Sequence, residues 1–419
     1  MGKTFAEKML ALKSGKESVV AGEIVTVSPD IVMSHDNSAA IAKKFKQIGI
    51  NKVKYPEKIV IPLDHCVPAA TEKYATNHKE IREFVQEQKI KNFYDINTGV
   101  CHQVLPEKGH ILPGTLVLGA DSHTTTYGAF GTFATGIGRS EVASIWATDE
   151  IWLRVSETIK INIEGEIPPG IYPKDIILYI IGDLGADGAL YKAVEFSGKV
   201  IRDMDIGGRM TLCNMAVEMG AKIGYVEPDE KTIQWLAPRI NKKYEIIKSD
   251  ADAEYEKIID YDISDLEPQI ACPHTVDNVK PVSKVAGAKI DQALIGTCTN
   301  GRLEDLKVAS KILRGKKISS GVRLLIFPAS MEVFAQAMEL GILQKLVKSG
   351  AVIMNPGCGP CLGAHEGVLA PGEVCLSTAN RNFKGRMGCK EAEVYLASPA
   401  TVAISSLYGE ITDVRGDLK

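Results

Sequence analysis

The chain has 419 residues, 45% hydrophobic and 24% charged, with a formal net charge of -3 at pH 7. This is an ordinary globular composition, long enough for roughly two to four domains at about 100–200 residues each. The balance of 49 basic against 52 acidic residues gives no cationic footprint for nucleic acid, the 9 cysteines are too sparse for a disulfide scaffold, and apolar stretches such as 176–181 are far too short to span a membrane.

No charged leader with an apolar stretch opens the sequence, so a reducing cytoplasm is the expected setting. Thr4 with Glu7 three positions on gives a capping-box signature, predicting an amphipathic helix over 4–13. The run Ile31-Val32-Met33 ends in Ser34-His35-Asp36-Asn37-Ser38, where His35 could face a ligand and the polar trio could equally cap the helical pattern of 39–42. A second apolar run, 58–63, delivers Asp64 and His65 side by side. A carboxylate can orient an imidazole and raise its pKa, making a general acid near neutral pH. Neighbours on a strand point to opposite faces, so this pairing requires a turn. A third edge, 97–106, carries His102 among turn residues, and the buried-type strand starting at Thr115 ends in Asp121, Ser122 and His123. A serine-hydrolase triad joins residues distant in sequence, and the G-x-S-x-G elbow is absent. The glycines from Gly128 to Gly138 match neither phosphate-binding fingerprint, which leaves close backbone packing around a site as the better reading.

Beyond a break at 155–175, the alternation of 159–163 opens a new unit with a strand. Residues 211–220 read as a helix with Asn214 and Glu218 on one face at i, i+4, residues 241–262 as a solvated helix, and 268–281 as an extended linker. Apolar runs at 292–295, 322–327 and 351–354 read as strands; the first leads into Gly296-Thr297-Cys298-Thr299-Asn300 and the last into Gly357-Cys358-Gly359-Pro360-Cys361. A C-x-x-C pair with a third cysteine at a strand end offers three thiolates, where structural zinc or a cuboidal cluster normally takes four protein ligands. An iron–sulfur cluster with one open iron, a zinc site completed by His365 and a reducible disulfide all satisfy this spacing. The loop 377–388 then carries Asn380, Arg381 and Arg386, two arginines able to clamp carboxylates by paired hydrogen bonds.

Asp64-His65, His102, Gly119-Ala120-Asp121-Ser122-His123-Thr124, Asn214 with Glu218, the two cysteine loops and Asn380–Arg386, in this order, resemble the aconitase superfamily of iron–sulfur hydro-lyases over nearly the whole chain. Within it they are similar to the large-subunit type acting on isopropylmalate or homocitrate. The resemblance implies an α/β fold of three α/β/α domains, about 1–156, 157–276 and 277–419, around a [4Fe-4S] cluster with one iron not ligated by cysteine. It implies Cys298, Cys358 and Cys361 as ligands and Asp64, His65, His102, Asp121, Ser122, His123 and Glu218 as catalytic residues. Asn214, Asn380, Arg381 and Arg386, with His35 as the ligand-facing candidate of the first edge, are the expected substrate-binding residues.

The reaction so implied is dehydration and rehydration of a 2-hydroxy acid through a bound alkene, with His65 protonating the leaving oxygen. Isopropylmalate, on the route to leucine, is preferred over homocitrate. Single-chain members of the superfamily continue into a swivelling fourth domain that carries the base. This sequence has no such extension, so a small subunit carrying it, in a heterodimer or heterotetramer, is the expected partner. A purely electron-transferring iron–sulfur protein would leave the His, Asp and Arg set without a task, and the acidic balance weighs against RNA binding.

Overall fold

The structure is a computed structural model and describes residues 2–363 and 365–417. It opens on the helix Phe5–Ser14, where Thr4 accepts from the Glu7 backbone and the Glu7 carboxylate returns to the Thr4 N–H, closing the predicted box.

Three main sheets follow. In the first, strands Asn92–Tyr94, Ile59–Pro62, Ile31–Met33, Leu116–Gly119 and Phe133–Gly136 lie side by side in that order, all parallel. Ile59–Pro62 and Leu116–Gly119 are buried throughout, which is why they read as unbroken apolar runs and not as alternating ones. The chain winds outward from Ile31–Met33 to Asn92–Tyr94, then returns with Leu116–Gly119 on the other side of Ile31–Met33. Such a reversal opens a crevice at the carboxyl ends of the two strands that flank it.

The third sheet repeats the device in the order Val279–Pro281, Gln269–Ala271, Glu393–Ala397, Val374–Ser377, Gln292–Gly296, Arg323–Phe327 and Val352–Ile353. Its last five strands are parallel and the reversal falls between Gln292–Gly296 and Val374–Ser377. The loops of the two sheets meet: Cys358 N–H donates to Asp64 O at 2.9 Å and Val100 N–H to Ala329 O at 2.8 Å.

The second sheet, Ile223–Val226, Ala193–Ser197, Thr158–Glu164 and Lys257–Asp262, is also parallel. It serves the site through the helix Ile206–Met215 and the 3-10 turn Ala216–Met219, which pack on the 3-10 segment Ser122–Phe130. Glycines make close packing around this 3-10 segment possible. A Cβ on Gly128 would lie 1.6 Å from the Gly224 carbonyl oxygen, and one on Gly136 would lie 2.6 Å from that of Asp121.

Two expectations are corrected here. Residues 241–256 hold no helix, and Lys257–Asp262 is a strand on the edge of the second sheet. Its charged residues face solvent from an edge, a pattern that composition alone does not separate from a solvated helix. The expected linker 268–281 contains two three-residue strands, Gln269–Ala271 and Val279–Pro281, paired antiparallel. Strands that short show no period, and Pro281 sits on the outermost one, where its missing N–H is tolerated. Among the described residues no helix is long and apolar enough to cross a membrane.

Candidate active site

The carboxyl edge of the first sheet gathers the histidines. After Pro62 the chain turns, and His65 Nδ1 meets the Asp64 carboxylate at 2.6 Å. Asp64 is completely buried, and its other oxygen accepts the Cys101 N–H at 2.7 Å. His65 Nε2 faces Asp121 Oδ2 at 3.4 Å. Burial alone would lower the His65 pKa, but Asp64 and Asp121 at its two nitrogens reverse this and hold it well above the ordinary histidine value. The His35 ring stacks on His65 with centroids 3.8 Å apart, and burial together with the His65 charge pushes His35 down to about 4. The stacked pair therefore carries a single positive charge, and it sits on His65.

His102 Nε2 bonds Asp121 Oδ1 at 2.8 Å, and His123 Nε2 bonds Glu218 Oε1 at 2.8 Å. Burial would raise the Asp121 carboxyl, but His102, His123 and His65 hold it well below the usual carboxylate range. Burial likewise opposes, and His123 and Arg381 outweigh it, in keeping Glu218 low. Arg381 Nε reaches Glu218 at 2.8 Å, and Ser122 Oγ lies 3.5 Å from His123 Nδ1. Asn214 and Glu218 do face the site together, although the helix ends at Met215 and Glu218 sits on the following 3-10 turn.

The thiols come from the third sheet. Cys298 follows Gln292–Gly296, with the β-branched Thr297 before it at φ 66°. A left-handed backbone at such a residue persists only when its surroundings over-determine it. Arg302 does so, donating to the carbonyls of Cys298 and Thr299, each at 2.6 Å. Cys358 and Cys361 flank the start of the 3-10 turn Gly359–Leu362, and all three cysteines are buried. Asn380 spans the thiols: its Nδ2 donates to Cys298 Sγ at 3.4 Å and its Oδ1 accepts from Cys361 Sγ at 3.5 Å. Asn214 Nδ2 also donates to Cys298 Sγ, at 3.3 Å.

The donor set answers whether these residues suit a cluster. Amide N–H groups and the Arg386 guanidinium, 3.8 Å from Cys361 Sγ, are what anionic sulfur attracts. Nearby, Arg386 Nε, Thr297 Oγ1, Thr299 Oγ1 and Asn300 Oδ1 are buried with no protein partner. Three thiols in a polar setting with spare hydrogen-bonding capacity fit a sulfide-bearing group with three cysteine ligands. The zinc alternative weakens, because among the described residues the donor atoms of His365 and the three cysteines are not gathered closely enough to share one ion.

Sequence reasoning missed the support for His65. Asp36 does not cap: helix Ser38–Gln47 has no side-chain cap at its start. Instead the Asp36 carboxylate accepts the N–H groups of Asp64, His65 and Cys66 at 2.9, 2.8 and 3.2 Å, and His78 Nε2 at 2.8 Å. Despite burial, His78 and its neighbours hold this carboxyl far below the usual range, so its contribution is full above the unfolded pKa and is lost as pH falls through the folded one. Asp36→Ala orphans these donors, and urea unfolding of the cluster-free chain should show a loss of about 3–5 kcal/mol at neutral pH. A loss below about 1 kcal/mol would contradict this role.

Two sheets whose loops meet at their carboxyl ends around three buried thiols and a set of histidine–carboxylate pairs define the centre of an α/β core. The chain belongs to the aconitase family, whose sequence profile, described as "Aconitase family (aconitate hydratase)", matches residues 7–289 and 280–409. The chain is 53% identical over 416 residues, 99% of each chain, to the 3-isopropylmalate dehydratase large subunit 1 of Methanopyrus kandleri. It is 52% identical over 420 residues, 100% of each, to the probable 3-isopropylmalate dehydratase large subunit of Methanothermobacter thermautotrophicus. It is also 56% identical over 387 residues, 92% of this chain and 98% of the other, to the probable methanogen homoaconitase large subunit of Methanosarcina mazei.

Proposed function

We propose that this chain is the large, cluster-bearing subunit of a cytoplasmic hydro-lyase that interconverts 2-isopropylmalate and 3-isopropylmalate through 2-isopropylmaleate, in partnership with a small subunit. The observation that carries the reading is Asn380, which touches both the Cys298 and Cys361 sulfurs beside an arginine that bonds the Glu218–His123 pair. Thiolate site and acid–base site are thereby one site. The full-length relatives named as dehydratase large subunits support the substrate, and the Methanosarcina mazei relative keeps homocitrate as the second reading. The three-domain division at 156 and 276 belongs to this proposal. Gln269–Ala271, which pairs into the third sheet, favours moving the second boundary to the loop before it.

Cys298, Cys358 and Cys361 would hold the cluster, which when bound would supply Lewis-acid chemistry at an iron left without a cysteine. His65 donates the proton to the departing hydroxyl oxygen. Because Nδ1 is fixed on Asp64, the donor is Nε2, and its long 3.4 Å contact to Asp121 is one that a substrate oxygen can displace. His102 and His123 keep Asp121 and Glu218 ionised and oriented, and Ser122 offers a hydroxyl beside them. Arg381 and Arg386 receive substrate carboxylates, while Asn214 and Asn380 orient the thiolates and the bound acid. His35, neutral and stacked, forms the wall behind His65.

The assignment is tested by purifying Cys298→Ser anaerobically and measuring iron, sulfide and visible absorption. Cluster content should fall to near zero, whereas Cys389→Ser keeps it. A normal cluster in Cys298→Ser overturns the ligand set.

A further inference from the structure

Lys174 runs against every local preference. It is the second residue of the helix Pro173–Leu184, where the dipole disfavours a cation, and it is completely buried, where an ammonium is costly unless it is paired. Its hydrogen-bond partners are carbonyls: Nζ donates to Thr378 O at 2.9 Å and to Ala379 O at 2.6 Å. The adjacent, equally buried Asp175 is spent on the backbone N–H groups of Tyr172 and Gln269, both at 2.9 Å, so it serves the helix start. The carbonyls that Lys174 holds immediately precede Asn380 and Arg381. One buried amino group thus ties a helix packed on Ile206–Met215 and on Gln269–Ala271 to the loop of the third sheet that touches Cys298, Cys361 and Glu218.

We propose that Lys174 is a positioning residue: its two hydrogen bonds fix the Thr378–Ala379 peptides so that Asn380 stays across the thiols and Arg381 stays on Glu218. An apolar side chain of the same length would leave two inward-facing carbonyls unsatisfied. The loop would then relax, although the bulk of the chain would not. The kinetic consequence rests on the hydro-lyase reading; the structural one does not.

Lys174→Met keeps the stem and removes both bonds. In the cluster-free chain, amide hydrogen exchange at 379–382 should speed up by about tenfold or more while the strand Gln292–Gly296 keeps its protection. In the cluster-loaded enzyme with its small subunit, KM should rise by about tenfold with a smaller fall in kcat, the signature of a loosened carboxylate clamp. Lys174→Arg, which keeps a charged donor, should recover part of both. If the Met variant does not fold, Lys174→Gln carries the same exchange measurement, and failure of both to fold would assign Lys174 to global stability and overturn the proposal. Unchanged exchange at 379–382 also overturns it, whatever the substrate. Faster local exchange in a protein inactive on both isopropylmalate and homocitrate upholds the positioning and sinks the hydro-lyase reading instead.

Discussion

Loaded with its cluster and paired with a small subunit, the His65→Ala variant should turn over about 10³-fold or more slowly than the wild type, with its visible cluster absorption unchanged. A positioned proton donor typically contributes about 10²–10⁴-fold, and the geometry of His65 suits the proposed role: Asp64 fixes Nδ1 at 2.6 Å and Asp36 pins the backbone beneath it. None of its contacts is to Cys298, Cys358 or Cys361, so the cluster should survive its removal. The pH dependence has a definite sign. His65 must be protonated to donate, and its pKa is raised above the ordinary histidine value, so the donor is present through neutral pH and is lost as pH rises through the raised value. Turnover should fall on the alkaline side, and Asp64→Asn should move that limb toward lower pH. An alkaline limb unmoved in Asp64→Asn, or a His65→Ala enzyme within tenfold of wild type, would remove His65 from this role.

The strand ends were legible because parallel strands buried on both faces read as apolar runs, and His35, Asp64, Asp121 and Cys298 each stand where such a run gives way to polar residues. The capping box at Thr4 was legible for a similar reason, since its partners are three residues apart. Partners across the fold were not. His102 and Asp121 are separated by 19 residues, His123 and Glu218 by 95, and spacing does not encode which of these residues meet. Asp36 was visible only as one of three capping candidates, its true acceptor role depending on a turn at 64–66 and on His78, 42 residues away. Lys174 left no signal at all: a lysine at a helix start looks solvated until the carbonyls 204 and 205 residues later close over it.

The second large effect is dependence on a partner. In the proposed mechanism the titratable groups are committed: His65 as a charged donor, Asp121 and Glu218 as ionised partners of His102 and His123, and His35 as a neutral ring. The proposed reaction also needs a base for the carbon-bound proton, and in the proposal the small subunit supplies it. Without it the general-base contribution of about 10²–10⁴ is missing, and a substrate open to water on one side is held less well still.

The most direct measurement follows 2-isopropylmaleate by its alkene absorbance as it is hydrated under anaerobic conditions, using the cluster-loaded chain alone and then with small subunit added. Almost no loss of absorbance is expected from the chain alone, and an increase in rate of at least about a hundredfold on adding the partner. Full activity from the rigorously separated chain, or a loaded pair that hydrates neither 2-isopropylmaleate nor the corresponding homocitrate-derived alkene, would contradict it.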